Sequence, residues 1–350
     1  MSDRRVIELA ETNIDNRDLA WLKQALQWAI ELEFFTIPPY LTAFWSVKDS
    51  SDPVAVAIRE VLVEEMLHMS LACNMLVAIG GKPKIFDASV APRYPAPMPG
   101  GVKPTLTVAL EGLSKQALST FMKIEEPEED ISHLEAVEAK ATYIRIGQFY
   151  DDINQAFHII EPELTREGQI ESYFGETQQP DGSNVPKNIG TLDDVDAAIE
   201  LIKDQGEGTS ELVNDPDTGE LAHYYRFKEV AVGRKLIQSE DGRWVHQGPE
   251  IAMPDCWPVA EVPKGGYSFD DVHDDKAWED MRQFDVVYSQ VVQQLDLAWN
   301  GGGLKALHRG IELMMSDMPR LAKKIMKVSL QQQPYNYGPN FQLVELEDDA

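Results

Sequence analysis

Two cysteines in 350 residues, Cys73 and Cys256, cannot supply a disulfide framework. Positive charge is also scarce. The chain carries 31 Lys and Arg against 59 Asp and Glu, a net charge of −28. So acidic a surface argues against binding nucleic acid or an anionic membrane through bulk electrostatics. The opening MSDRRVIELAETNID has no apolar core of signal-peptide length, and no run reads as membrane-spanning. A cytoplasmic protein is the expectation, with neither nucleic acid nor membrane as a partner. The glycine-rich QGEGT (205–209) lacks the length, the lysine and the preceding strand of a phosphate loop, which removes nucleotide binding. What is plentiful is ordinary: 43% hydrophobic and 26% charged residues, enough for a full core.

The most informative stretch is Ile58 to Gly80. Ile58, Val61, Ala72, Met75 and Ala78 recur at three- and four-residue steps, an apolar stripe along one long helix. Two positions of that stripe are Glu65 and His68. A buried carboxylate without a partner costs several kcal/mol, roughly, so this one needs a salt bridge or a cation. The pair spells Glu-x-x-His, which di-iron carboxylate bundles use to bring an oxygen and a nitrogen to one ion. By itself the motif also fits a salt-bridged core pair.

A helix expected over 16–45, capped by Asp15 or Asn16, repeats the anomaly. Its seam runs Leu19, Leu22, Leu26, Ala29 and then Glu33. Glu33 bonding a lone arginine is the plain alternative. Pro38-Pro39 should kink or break this helix. Leu106 to Ile124 reads as a short helix packed through Leu113, Ala117 and Phe121, and EEPEED (125–130) as a solvated charge run. A third long helix is expected over 133–160, with Gln148 and Asp152 on the flank of its stripe. Residues 161–218 form an insertion that holds one helix capped by Thr191. The fourth helix is expected over 219–235, where Glu220-Leu-Ala-His223 is a second Glu-x-x-His. Two such motifs on separate helices, with Glu33, nearly complete the set of side chains a dinuclear bundle site needs. Two more helices, within 275–328, carry no such pair and form a packing extension. The whole is expected to be all-α: a four-helix bundle with additional helices and long loops, one domain over 1–350.

These segments resemble a known family. IELEFFTIPPYLTAFWS (30–46), EEMLHMSLACNMLVAIGG (64–81), YIRIGQFYDDI (143–153), IKDQGEGT (202–209), ELAHYYRFKEV (220–230) and YSQVVQQLDLAWNG (288–301) carry the likeness. The chain is similar to ferritin-like domain proteins related to the iminophenylpyruvate dimer synthase of violacein biosynthesis. The resemblance implies a ferritin-like bundle with metal ligands at Glu33, Glu65, His68, Glu220 and His223. Gln148 stands where such bundles usually offer a glutamate. That leaves open a weakly held ion, a substitute in Asp152, or a mononuclear or vestigial site. Two iron ions are implied, with manganese as the alternative. Tyr40, Tyr150 and Arg226 are candidates to line the substrate path, though core packing and a surface salt bridge explain them too. An oxidase or oxygenase that turns over a small molecule with O2 or peroxide is the first expectation. Iron handling as a ferroxidase and a metal-poor structural role compete with it, and a homo-oligomer is left open.

Overall fold

The computed structural model describes residues 5–127, 145–171, 188–206, 213–214 and 219–346. Nine α-helices are found among them: α1 (Val6–Ala10), α2 (Leu19–Ser46), α3 (Pro53–Ala78), α4 (Lys115–Ile124), α5 (Ile146–Ile160), α6 (Leu192–Gln205), α7 (His223–Val232), α8 (Asp275–Leu297) and α9 (Gly303–Ile325). Among the described residues, strand is confined to two antiparallel two-residue pairs, Ala96–Pro97 with Thr107–Val108 and Ile237–Gln238 with Trp244–Val245. The helices associate in pairs, three of them sequence-adjacent (α2 with α3, α5 with α6 and α8 with α9) and one not (α4 with α7), and the α2–α3 pair lies at the centre.

Local chemistry explains the boundaries. Asp18, not Asp15 or Asn16, caps α2 by accepting from the Trp21 amide at 2.8 Å, because Asn13 already caps a short 3-10 turn over Ile14–Asn16. Asp52 caps α3, and Pro53 opens it where a missing N–H costs nothing. Gly80 closes it in the left-handed region (φ +69), with the Gly81 amide reaching back to the Leu76 carbonyl at 2.8 Å. Thr191 caps α6 as expected, in a reciprocal bond with Asp194. The helix expected over 106–124 starts only at Lys115, since Thr107–Val108 is spent on strand pairing. Of the expected helix 133–160, residues 133–144 lie outside the described residues.

Pro38-Pro39 does not break α2, contrary to expectation. A proline at 39 removes the N–H that would bond the Phe35 carbonyl. The Tyr94 hydroxyl donates to that carbonyl at 2.6 Å instead. The helix therefore runs through the proline pair with a loop residue filling the gap that Pro39 leaves.

Trp21, Leu22, Leu26, Ile30, Ile58 and Leu71 are among the side chains buried in the α2–α3 core. Among the described residues α3 is also the one helix long and apolar enough to cross a membrane by composition, and 89% of that stretch is buried inside the protein.

Candidate metal centre

Where α2 and α3 face α4 and α7, the seam positions stop being apolar. Glu33 comes from α2, Glu65 and His68 from α3, Glu125 from the residue just past α4, and His223 from the first turn of α7. None is more than 5% exposed. They form two groups, Glu33–Glu65–His68 and Glu65–Glu125–His223, and in each the ligand atoms lie within 4.8 Å of one another. Glu65 belongs to both.

Each imidazole is held from outside the cluster. His223 Nε2 lies 2.7 Å from a Glu64 oxygen, and His68 Nε2 lies 2.9 Å from the Gln205 amide oxygen. Both partners only accept, so each Nε2 carries a proton and each Nδ1 points toward the carboxylates. His68 Nδ1 is 3.9 Å from Glu33 and His223 Nδ1 is 2.8 Å from Glu65. That last contact is short, yet His223 Nδ1 makes no aligned hydrogen bond. The carboxylates are steadied in turn: the Tyr150 hydroxyl donates to Glu33 at 2.6 Å, Thr36 Oγ1 to Glu65 at 2.6 Å, and the Tyr40 hydroxyl to Glu125. Glu125 also follows the C-terminal end of a helix, a poor place for negative charge. The buried Lys103 amine offsets this by donating to the carbonyls of Lys123 and Ile124 at 2.7 and 2.8 Å.

Residues 26–232 match the family model described as Ferritin-like. The chain belongs to the ferritin-like family. It is 25% identical over 310 residues to the dichlorochromopyrrolate synthase of Lentzea aerocolonigenes, covering 81% of this chain and 29% of that protein. The chain thus spans less than a third of that relative's length. The crystal structure of a ferritin-like protein from Caulobacter vibrioides matches the fold with a TM-score of 0.63 at 20% identity, over 92% of this chain and 97% of that one. The resemblance read from the sequence stands on these likenesses.

Within the ferritin-like frame, the residues singled out in the sequence part company. Glu33, Glu65, His68 and His223 converge. Glu220 does not: α7 begins at His223, so Glu220 precedes the helix, exposes 61% of its side chain, and bonds Arg226 at 3.2 Å. Gln148 faces solvent, and Asp152 is taken by Arg17 at 2.8 Å, so neither reaches the cluster. The third helix to supply a carboxylate is α4, through Glu125, a residue placed by its neighbours in a solvated run but only 4% exposed. Tyr40 packs against Phe121 and Phe227 and touches Glu125, and Arg226 bonds Glu64 at 3.0 Å; both support the cluster's outer edge. Of the three expected lining residues only Tyr150 borders a small recess that reaches Glu33 and Glu65 from between α5 and α6, with Lys203 at its rim.

The electrostatics follow from crowding. Burial, then the Glu65 charge, push the Glu33 carboxyl well up. Burial and Glu125 likewise raise Glu65. Burial also opposes charge on Glu125 and Glu64, but His223 outweighs it and holds both below the usual carboxylate range. Burial opposes charge on His223, but the surrounding carboxylates of Glu125, Glu64 and Glu65 outweigh it and drive its pKa well up. His68 is pushed down to about 4 by burial and by His223. Protons thus do the neutralising when no cation is there. A cation would displace them, and the donor set fits one: three carboxylates and two inward Nδ1 atoms, one of which, on His223, is buried with no aligned hydrogen-bond partner.

Proposed function

We propose that this ferritin-like protein is a dinuclear-metal oxidoreductase that uses O2 or peroxide to oxidise a small molecule, with oxidative coupling in secondary metabolism as the preferred reaction. The observation that carries the reading is the sharing of Glu65 by two buried three-ligand groups. Glu33, Glu65 and His68 would hold one ion, and Glu65, Glu125 and His223 the other. Iron, or manganese in its place, supplies the redox and oxygen-activating chemistry when bound.

The chain's own residues do the rest. Glu64 and Gln205 fix the imidazoles with Nδ1 inward; Tyr150, Tyr40 and Thr36 fix the carboxylates. Holding these groups in place before the reaction lowers the reorganisation it requires. Burial keeps bulk water off the cluster, and the recess beside Glu33 and Tyr150 is the approach for a substrate. The electron balance is simple: the substrate gives up two electrons and two protons, and O2 takes them as hydrogen peroxide, or peroxide takes them as two waters. The coupling assignment leans on the dichlorochromopyrrolate synthase likeness.

A specific observation favours a second reading. Arg226 and a protonated His223 can balance Glu64 and Glu125 without any ion, as a metal-poor structural network would. Anaerobic loading with Fe(II), followed by metal analysis and O2 uptake, separates the two. Two irons per chain, with O2 consumed and both lost in Glu65→Ala, support the oxidoreductase. Less than one iron per chain, unchanged by Glu65→Ala, ends that reading in favour of the structural one.

A further inference from the structure

The two imidazoles of the cluster are not backed alike. His223 Nε2 meets a carboxylate, Glu64, and Arg226 steadies that carboxylate through its other oxygen at 3.0 Å. His68 Nε2 meets a neutral amide, Gln205, the last residue of α6. A carboxylate behind an imidazole raises the basicity of the ring as a ligand, and an amide does so far less. On this ground the His223 group is the stronger donor set.

Access divides the same two groups. Glu33, Glu65 and His68 all line the recess between α5 and α6, together with Ile202, Lys203 and Gly206 on either side of Gln205. The other group reaches that recess through Glu65 and Glu125 but keeps its imidazole behind: His223 is fully buried and outside the wall. On its side Tyr40, Phe121 and Phe227 pack as three rings with centroids 4.6, 5.2 and 5.3 Å apart. Each position has a proton of its own to give up on loading, from Glu33 or from His223, so that cost falls on both.

We propose that Gln205 makes Glu33–Glu65–His68 the weaker and exchangeable metal position, facing the recess, while the Glu65–Glu125–His223 position holds its ion firmly. The inference rests on the dinuclear reading above. Gln205 is a positioning residue: it touches His68 and acts on the ion only through that ring. Helix α6 then both borders the approach and tunes the ion met there.

Zn(II), which has no redox chemistry, is the probe. Calorimetric titration of the metal-free full chain should show two ions bound in two steps. Ions that share Glu65 repel each other, so two steps alone decide nothing, and the variants do. Gln205→Glu keeps the shape, puts a carboxylate behind His68, and should tighten the weaker step by about tenfold while leaving the stronger one in place. Gln205→Leu should weaken that same step by about 10- to 100-fold; if it fails to fold, Gln205→Glu carries the test. NMR of histidine-labelled protein at one Zn(II) per chain should show the His223 ring shifted and the His68 ring unmoved. Less than one Zn(II) per chain in the wild type ends the dinuclear reading and this inference with it. Two Zn(II) bound, with the weaker step unmoved in Gln205→Glu, both steps moved alike, or His68 shifted first, overturns the inference and leaves that reading standing.

Discussion

Helices α2 and α3 turn two faces to the rest of the protein, built on opposed physics. Toward α4 and α7 they present Glu33, Thr36, Glu65 and His68; toward α8 and α9 they present Phe34, Ile37, Leu41, Met66 and Met69. The second face is stabilised by burial itself, at roughly 25 cal/mol per Å² of apolar surface. The first gains nothing that way: its acids must be protonated, paired or given a cation. A packed hydrophobic replacement of a buried ionic cluster is often neutral or stabilising. The acidic face is therefore a cost to the fold, and its upkeep is an argument for chemistry.

The strongest break of that comparison is Glu65→Ala. It removes the carboxylate common to both groups, and we expect metal content and O2 uptake to fall by more than about 100-fold, beyond the usual loss for an outer partner. Melting of the metal-free variant should stay at or above wild type, since one crowded acid has gone; calorimetry of chelator-treated protein checks this. Glu125→Gln comes next. It should halve the metal stoichiometry while sparing the Glu33–Glu65–His68 group, measured by mass spectrometry of metals.

The apolar side has its own buried acid, which sharpens the contrast through pH. Burial pushes Asp285 of α8 up to about 7, even though Asn340 and the Gln342 amide bond it. The unfolded chain releases that proton near pH ~4. Between about pH 4 and 7 the folded form thus holds a proton the unfolded form has lost. Stability falls as pH rises through that window, by on the order of 4 kcal/mol, and levels off above it. Asp285→Asn should flatten the curve of melting temperature against pH over the same range. The smallest effects belong to residues the structure leaves outside the cluster. Gln148→Glu and Glu220→Ala should leave metal content unchanged, and Glu220→Ala should cost less than about 1 kcal/mol, as exposed ion pairs do.

Much of the centre was readable from spacing alone. Glu33 follows Leu19, Leu22, Leu26 and Ala29, and Glu65 with His68 interrupts the stripe of Ile58 to Ala78, so burial gave them away. The same logic reaches Glu125, because Leu113, Ala117 and Phe121 step by four and the next step is 125. The acidic run around it hid the signal, since a charge cluster ordinarily means solvent. Glu220 misled for the opposite reason. The Glu-x-x-His spacing holds only within a helix, and Gly219 (φ +75) puts a turn just ahead of Glu220, with α7 starting three residues later. Gln205 could not have been found: it meets His68 across 137 residues of chain, from a helix with no metal-like pattern. The all-helical fold was the easiest part, because long stripes with clear caps leave little choice.

The hydroxyl that Tyr94 lends to Phe35 ties a distant strip of chain to the cluster. Without it, a buried carbonyl two residues past Glu33 would lose the donor that replaces the helix's own, just where consecutive prolines have removed it. The proline-rich segment before α4 is then a splint for the rod that carries Glu33 and Tyr40. Shortening or loosening that segment should let the rod bend at its weakest joint and shift one acid out of reach of the others.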